Sequence, residues 1–407
     1  MPTFQDVVKL LAKKKKKVYG RDSETKPFRL SRKGNNMINK RNLVNEKKDF
    51  KIIKLLLPKH MRKTPPTSSE AIPFGAVTTD HMLICDYIPH KNGWQIPEII
   101  PYKPFTLNPS ALVFHYGQTI FEGLKAYRSK ENNEEVYLFR PEKNAQRLRL
   151  SALRLGMEPI PEDLFVACVE ELVKVERKWI LPAPDSLYIR PAMIPLDEGV
   201  SYRASRAYRF FIILSPAKSY FSNETGVSVF IERKLSRAAV GGSGEAKCGG
   251  NYAAALPPMV KAKEYGAEQV LWLDSNEHKY VEEAGAMNVM FVYGKKIVTP
   301  ALSGSILQGI TRASILELAK DLGFDVEENK VEISKVIEDI KNNKLTEMFA
   351  CGTAAVITPI NMLIDENEKI EINNGKIGEI TLKLKDHLIG IQMGNLQDPY
   401  GWRIPIV

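Results

Sequence analysis

A chain of 407 residues with 44% apolar content is long enough for two domains of ordinary size, each with its own core. No apolar run approaches the roughly 18 residues a membrane-spanning helix needs, and the four cysteines, at 85, 168, 248 and 351, are too far apart to pair as a disulfide framework or to join the six histidines as metal ligands. The net charge of +10 is unevenly placed: residues 1–65 carry 20 Lys and Arg against five acids, whereas the remainder carries 38 against 43.

The first element in chain order is therefore a basic extension, 1–65, with an unbroken lysine run at 13–17 followed by a polar stretch whose composition should stay disordered. A nucleic-acid or membrane arm and a transit peptide are alternatives. Transit peptides are Arg-rich and poor in acids; this segment is Lys-rich and holds Asp6, Asp22, Glu24, Glu46 and Asp49. A solvated tail is favoured, with no specific nucleic-acid partner, no membrane and a cytoplasmic location. Mitochondria are the alternative if the extension is a transit peptide.

Residues 66–218 read as a small α+β domain, with strands near 135–139, 187–191 and 209–215 and helices near 142–155 and 162–178. In the first helix Ala145, Leu148, Ala152 and Leu155 form the apolar stripe, with Gly156 past its end; Arg147, Arg149 and Arg154 lie off that stripe, where solvation is the default. Residues 219–226 have the composition of an interdomain loop. Strands near 227–231, 269–273, 288–293 and 347–350 belong to a second, larger domain, 227–407. Turn residues Asp274, Ser275 and Asn276 suggest a hairpin that brings Glu282 and Glu283 to the end of a buried strand. A buried carboxylate asks for a cationic partner. Pro257 and Pro258 predict a break or a late start in the helix after Tyr252.

Within the second domain, Lys247 stands in Gly241-Gly242-Ser243-Gly244-Glu245-Ala246-Lys247-Cys248-Gly249-Gly250-Asn251-Tyr252. Small neighbours leave room for a planar ligand, and a partly desolvated lysine amine can form a Schiff base with a carbonyl compound. A glycine-rich surface loop carrying a solvated lysine is the alternative. A phosphate-binding P-loop fails, since Ala246 precedes the lysine and Cys248 follows it. Farther on, Gly309-Ile310-Thr311 opens a helical pattern, 312–322, stopped by Gly323, which places Thr311 at a helix N-terminus that suits an anion or serves as an ordinary cap.

These segments, with His115-Tyr116-Gly117, Phe121-Glu122-Gly123-Leu124-Lys125-Ala126, Ser186 through Pro191, Gly304 through Arg312, Cys351-Gly352-Thr353-Ala354 and Gly401-Trp402, resemble the branched-chain amino acid aminotransferases, members of the fold-type IV pyridoxal-phosphate (PLP) enzymes. The resemblance spans about residues 70–405 and rests on motif order and spacing. It implies a D-amino-acid-aminotransferase-like fold, with a barrel-like sheet in the large domain, PLP between the domains and a homodimer. It implies that Lys247 is the Schiff-base lysine and general base, that Tyr252 bonds the PLP phenolate oxygen, and that Glu283 faces the pyridine nitrogen. Arg147, the Ile310 and Thr311 N–H groups and Thr353 would hold the phosphate. Tyr116, Phe121, Tyr188, Arg190, Thr353 and Ala354 would receive the substrate. Tyr188 and Arg190 alternate on a strand and so share a face.

The implied reaction is ping-pong transamination between Leu, Ile or Val and 2-oxoglutarate, with no metal. The D-amino-acid transaminases and aminodeoxychorismate lyases are the sibling alternatives. The sequence departs from mammalian members by Ala286 where Thr is common, and by Ala355-Val356-Ile357-Thr358 where they carry a redox-active cysteine pair. Thiol regulation of that type is not expected.

Overall fold

The computed structural model describes residues 50–67, 69–218 and 226–406. The lysine run at 13–17, the extension up to residue 49 and nearly all of the expected interdomain loop lie outside the described residues.

Two ten-stranded sheets organise the described residues. In the first, Tyr208–Ala217 and Ser186–Pro195 form a long antiparallel pair at the centre, flanked on one side by His81–Ile88 and on the other by Leu124–Arg128 and Val136–Phe139. Helices Pro141–Arg154 and Glu162–Val175 cover it. Their apolar residues, Ala145, Leu148, Phe165, Val169 and Leu172 among them, pack with Leu83, Leu138, Leu187 and Phe210 in one core. The helix expected at 142–155 starts at Pro141, whose fixed φ and missing N–H suit a first helical position.

Both ends of the described residues return to this sheet. Ile53–Lys54, inside the segment read from composition as extension, pairs in parallel with Glu98 and Ile99. Phe50 and Ile52 pack on the core, and the Leu57 N–H donates to His81 Nε2 at 2.9 Å. Residues 50–57, read as part of the extension, thus pack with this sheet, because averaging charge over 65 residues concealed their apolar positions. At the other end Arg403–Pro405 pairs with Val136–Phe139.

The second sheet runs Asp325–Asn329, Lys296–Pro300, Asn288–Tyr293, Glu347–Gly352, Val356–Asp365, Val227–Glu232, Gln269–Leu273, Tyr280–Ala284, Val331–Glu332. Its two outermost strands are separated in sequence by Lys330 alone, so the edges meet and the sheet curls into a barrel-like form. Its central strands are buried on both faces, as continuous apolar runs require. Val289 and Phe291 point into a core shared with the helix Ile333–Lys341, while Met290 and Val292 point into another shared with Ile310–Asp321 and Glu379–Gln392.

The hairpin pairs Gln269–Leu273 with Tyr280–Ala284. The helix carrying Tyr252, Gly249–Ala254, ends before the prolines, and a second helix, Leu256–Glu264, begins with them in its first turn, where a missing N–H leaves no gap in the ladder. No described helix is long and apolar enough to cross a membrane.

Phe165 is wholly buried and its ring lies 5.7 Å from that of Phe210. Phe165→Ala is expected to lower stability by about 3–5 kcal/mol, read as a shift of the urea midpoint with little change in slope.

Candidate functional site

Lys247 is fixed by backbone clamps around it. Its N–H donates to Ser151 Oγ at 3.0 Å and its carbonyl accepts from the Phe121 N–H at 3.0 Å. Asn251 donates to the Ser243 and Ala246 carbonyls, at 2.8 and 2.9 Å, and Arg154 donates to those of Gly241 and Gly242. Gly244 is needed here, because a Cβ would collide with the Ser305 carbonyl oxygen. The free end is left to one partner: Lys247 Nζ donates to Tyr252 Oη at 2.9 Å, with the Phe121 ring centre 5.0 Å away.

Glu283 lies opposite Trp272 in the hairpin and is almost wholly buried. Its Oε1 accepts from the Leu307 N–H at 2.7 Å, and its Oε2 stands 3.1 Å from Arg237 Nε. Burial pushes the carboxyl above its ordinary pKa; the charges of Arg237 and Lys247 oppose that rise without cancelling it. Glu282, its neighbour on the strand, turns to the other face and accepts from Ser305 Oγ.

Arg147 is not the solvated arginine that its place off the apolar stripe suggested. It is buried and grips Glu122 with two bonds, Nε to Oε1 at 2.7 Å and Nη2 to Oε2 at 2.8 Å, while Nη1 donates to the Gln308 carbonyl at 3.0 Å. Burial would raise the Glu122 carboxyl, but the Arg147 guanidinium, helped by Lys247 and Asn144, holds it below the usual carboxylate range. Beside Arg147 begins the helix Ile310–Asp321, whose N-cap is Gly309 and which no side chain caps. Its first-turn N–H groups and dipole therefore face the cavity as an anion-binding end.

On the remaining side, Tyr188 and Arg190 project from one strand as their spacing requires, and Arg190 Nη2 donates to Tyr188 Oη at 2.9 Å. The Arg190 guanidinium lies 4.6 Å over Phe121, and its Nε is buried with no partner. Gly123 makes room, since a Cβ there would collide with Tyr188 Oη.

Lys247, Tyr252, Glu283, Arg147, Ile310, Thr311, Thr353, Phe121, Tyr188, Arg190 and Ala354 all line one cavity of about 200 Å³. Tyr116 is not brought to it: it ends the short helix Leu112–Tyr116, is half-exposed, donates to the Val200 carbonyl and packs on Tyr202. Phe74, Gln269 and Met287, absent from the sequence reading, join the lining. The counter-charge roles of Glu122, toward Arg147, and of Arg237, toward Glu283, were also absent from that reading; both stand outside the lining. A buried-acid argument applied to Glu122 could have found its arginine; nothing local marks Phe74 or Arg237. Chemically, the cavity combines a nucleophilic amine next to a phenol, a proton-holding acid, an anion-binding helix end and an arginine with an unmet donor.

The amino-transferase class IV family matches residues 119–363. The branched-chain-amino-acid aminotransferase of Mycolicibacterium smegmatis is 47% identical over 336 residues, 81% of this chain and 90% of that protein. Among solved structures, the branched-chain amino acid aminotransferase of Thermobaculum terrenum in its PLP form aligns with a TM-score of 0.67 at 25% identity, over 81% of this chain and 98% of that one. The branched-chain amino acid aminotransferase from Escherichia coli aligns with a TM-score of 0.65 at 26% identity, over 80% of this chain and 99% of that one.

Glu122→Gln would leave the Arg147 charge buried without its counter-ion, and the expected cost is about 3–5 kcal/mol near neutral pH. Because the folded-state pKa of Glu122 is depressed, its contribution is present above the ordinary glutamate range and is lost as pH falls through the lowered value. Urea titrations at successively lower pH should therefore show the gap between parent and variant closing on the acid side.

Proposed function

Because the chain belongs to the class IV aminotransferases, among the branched-chain-amino-acid aminotransferases, we propose that it moves an amino group reversibly between L-leucine, L-isoleucine or L-valine and 2-oxoglutarate. The observation that carries this reading is the placement of Lys247 Nζ 2.9 Å from Tyr252 Oη, in the same cavity as the buried acid Glu283 and the anion-binding start of the helix at Ile310.

The cofactor is pyridoxal 5'-phosphate. The residues fit it: an uncapped helix end and Arg147 for a doubly charged phosphate, a carboxylate with raised proton affinity for a ring nitrogen, and an amine beside a phenol for the carbonyl edge. When bound, PLP supplies an electron sink for the bonds at the substrate Cα.

We assign the chain's own residues as follows. Arg147, the Ile310 and Thr311 N–H groups and Thr353 bind the phosphate. Arg147 has donors to spare, because its contacts to Glu122 and Gln308 use three of the five N–H groups of a guanidinium. Glu283 holds the ring nitrogen, with Arg237 keeping the acid oriented. Tyr252 donates to the ring oxygen and steers Lys247, whose amine takes and returns the proton at Cα. Phe121 and Tyr188 wall the aliphatic side chain. Arg190, stacked on Phe121 with an unmet Nε, is placed to accept the second carboxylate of glutamate.

Tyr116 is assigned to a second copy's site. It sits among exposed Phe114, Val200 and Tyr202, an apolar group that suits a homodimer contact. The four buried, unpaired cysteines suit a reducing, cytoplasmic setting.

In a coupled assay the parent should convert L-leucine with 2-oxoglutarate, and Lys247→Ala should lose at least about a thousand-fold in kcat, with the holoenzyme sedimenting as a dimer. Turnover of D-leucine or D-alanine without L-leucine would move the assignment to a sibling activity of the same fold.

A further inference from the structure

Lys125 belongs to the Phe121-Glu122-Gly123-Leu124-Lys125 run, yet it is not part of the cavity lining, and nothing said so far gives it a task. It is 6% exposed, and buried ammonium groups persist only where something accepts their protons. The acceptor is the Ala354 carbonyl, 2.7 Å from Nζ, on a segment 229 residues away. In the first sheet Lys125 lies directly opposite Tyr188, so both side chains leave the same face. Tyr188 lines the cavity, and Lys125, beside it, reaches the Ala354 carbonyl instead. Burial lowers its pKa to about 8, with Asp185 opposing, which keeps most of the charge at neutral pH.

The segment it reaches is a tight one. Gly352 pairs with Val356 across the turn, and Val356 holds φ +60°, buried, in a region that β-branched residues avoid. Such a backbone persists only when its surroundings fix it. The ammonium bond from Lys125 to the Ala354 carbonyl is one of the contacts that fix this strained turn. A trans peptide points its N–H away from its C=O. With the Ala354 carbonyl drawn to Lys125, the Ala355 N–H faces the opposite way, and Thr353, Ala354 and Ala355 all line the cavity.

We propose that Lys125 is a positioning residue: through the Ala354 carbonyl it holds the turn at 352–356, which the family resemblance already gives to the substrate's carboxylate, with its N–H groups turned toward the cavity. The proposal rests on the transaminase reading above. Lys125 is not among the residues that line the main cavity, and it acts through the Ala354 carbonyl.

The test compares wild-type holoenzyme with Lys125→Met and Lys125→Arg. The dissociation constant of 4-methylpentanoate, a branched carboxylate that lacks the amine, is read from its perturbation of the bound cofactor's absorbance, alongside KM and kcat for L-leucine and the thermal midpoint. Losing a hydrogen bond from a charged donor should raise both the dissociation constant and KM about ten-fold or more in Lys125→Met. In the same variant kcat should stay within about three-fold, the pattern of lost binding rather than lost chemistry. Lys125→Arg, still charged, should recover most of the affinity.

Unchanged affinity in a folded Lys125→Met protein would overturn the proposal, and so would a fall in kcat alone. Should that variant not fold, Lys125→Gln, which keeps a polar side chain but loses the charge, decides by the same readouts. A wild type that binds 4-methylpentanoate but never turns over L-leucine defeats the transaminase reading; normal wild-type turnover with unaffected variants defeats only the role of Lys125.

Discussion

A buried arginine with a buried glutamate holds this site in shape. Arg147 and Glu122 would each be costly alone in a dry interior; gripped in a two-bond fork they cancel, and the fork fixes distance and angle together. Everything near Lys247 is referred to that anchor. Asn144, Arg147, Ser151 and Arg154 recur at spacings of three and four, so they form one polar face of the helix Pro141–Arg154. Asn144 and Arg147 bind Glu122, Ser151 binds the Lys247 N–H, and Arg154 binds the glycine carbonyls that precede it. The first sheet thereby sets the place of a lysine that the second part of the chain carries.

The second sheet supplies the complementary constraint. Strands buried on both faces cannot shift register without exposing one core or the other, so the ends that carry Glu283, Asn288 and Cys351 are held rigidly. The cavity is lined from those ends and from the turns that leave them: the helix start at Ile310, the turn that begins at Gly352, the loop through Leu307. The positive groups Lys247, Arg147 and Arg190 line a cavity with one buried acid, Glu283, while Arg237 pairs with Glu283 and Glu122 with Arg147 from outside the lining. The excess of cationic donors suits ligands that bring a phosphate and carboxylates of their own.

Much of this was legible in the sequence, for definite reasons. Helices and strands with clear periodicity, such as 142–155, 209–215 and 288–293, appear within a few residues of their expected bounds. The glycine run around Lys247 was read as room for a planar ligand; Gly244 instead packs against the Ser305 backbone, and at Gly123 a Cβ would collide with Tyr188. Other features had no local signature. The second stripe of the 141–154 helix escaped notice because only apolar positions were counted, so Arg147 read as solvated. Phe74 reaches the cavity, and Arg237 reaches Glu283, through tertiary packing alone. Residues 50–57 were absorbed into a basic average, although their apolar side chains and parallel pairing place them on the sheet.

The central claim is that Lys247, and no other amine, is the covalent partner of the cofactor. Borohydride reduction of the holoenzyme, followed by proteolysis and mass mapping, tests it directly. The account predicts a phosphopyridoxyl mass increment on the peptide containing Lys247, prevented when L-leucine has first converted the cofactor to its amine form. A stable increment on the Lys125 peptide or any other lysine, or none on a protein saturated with PLP, would contradict it.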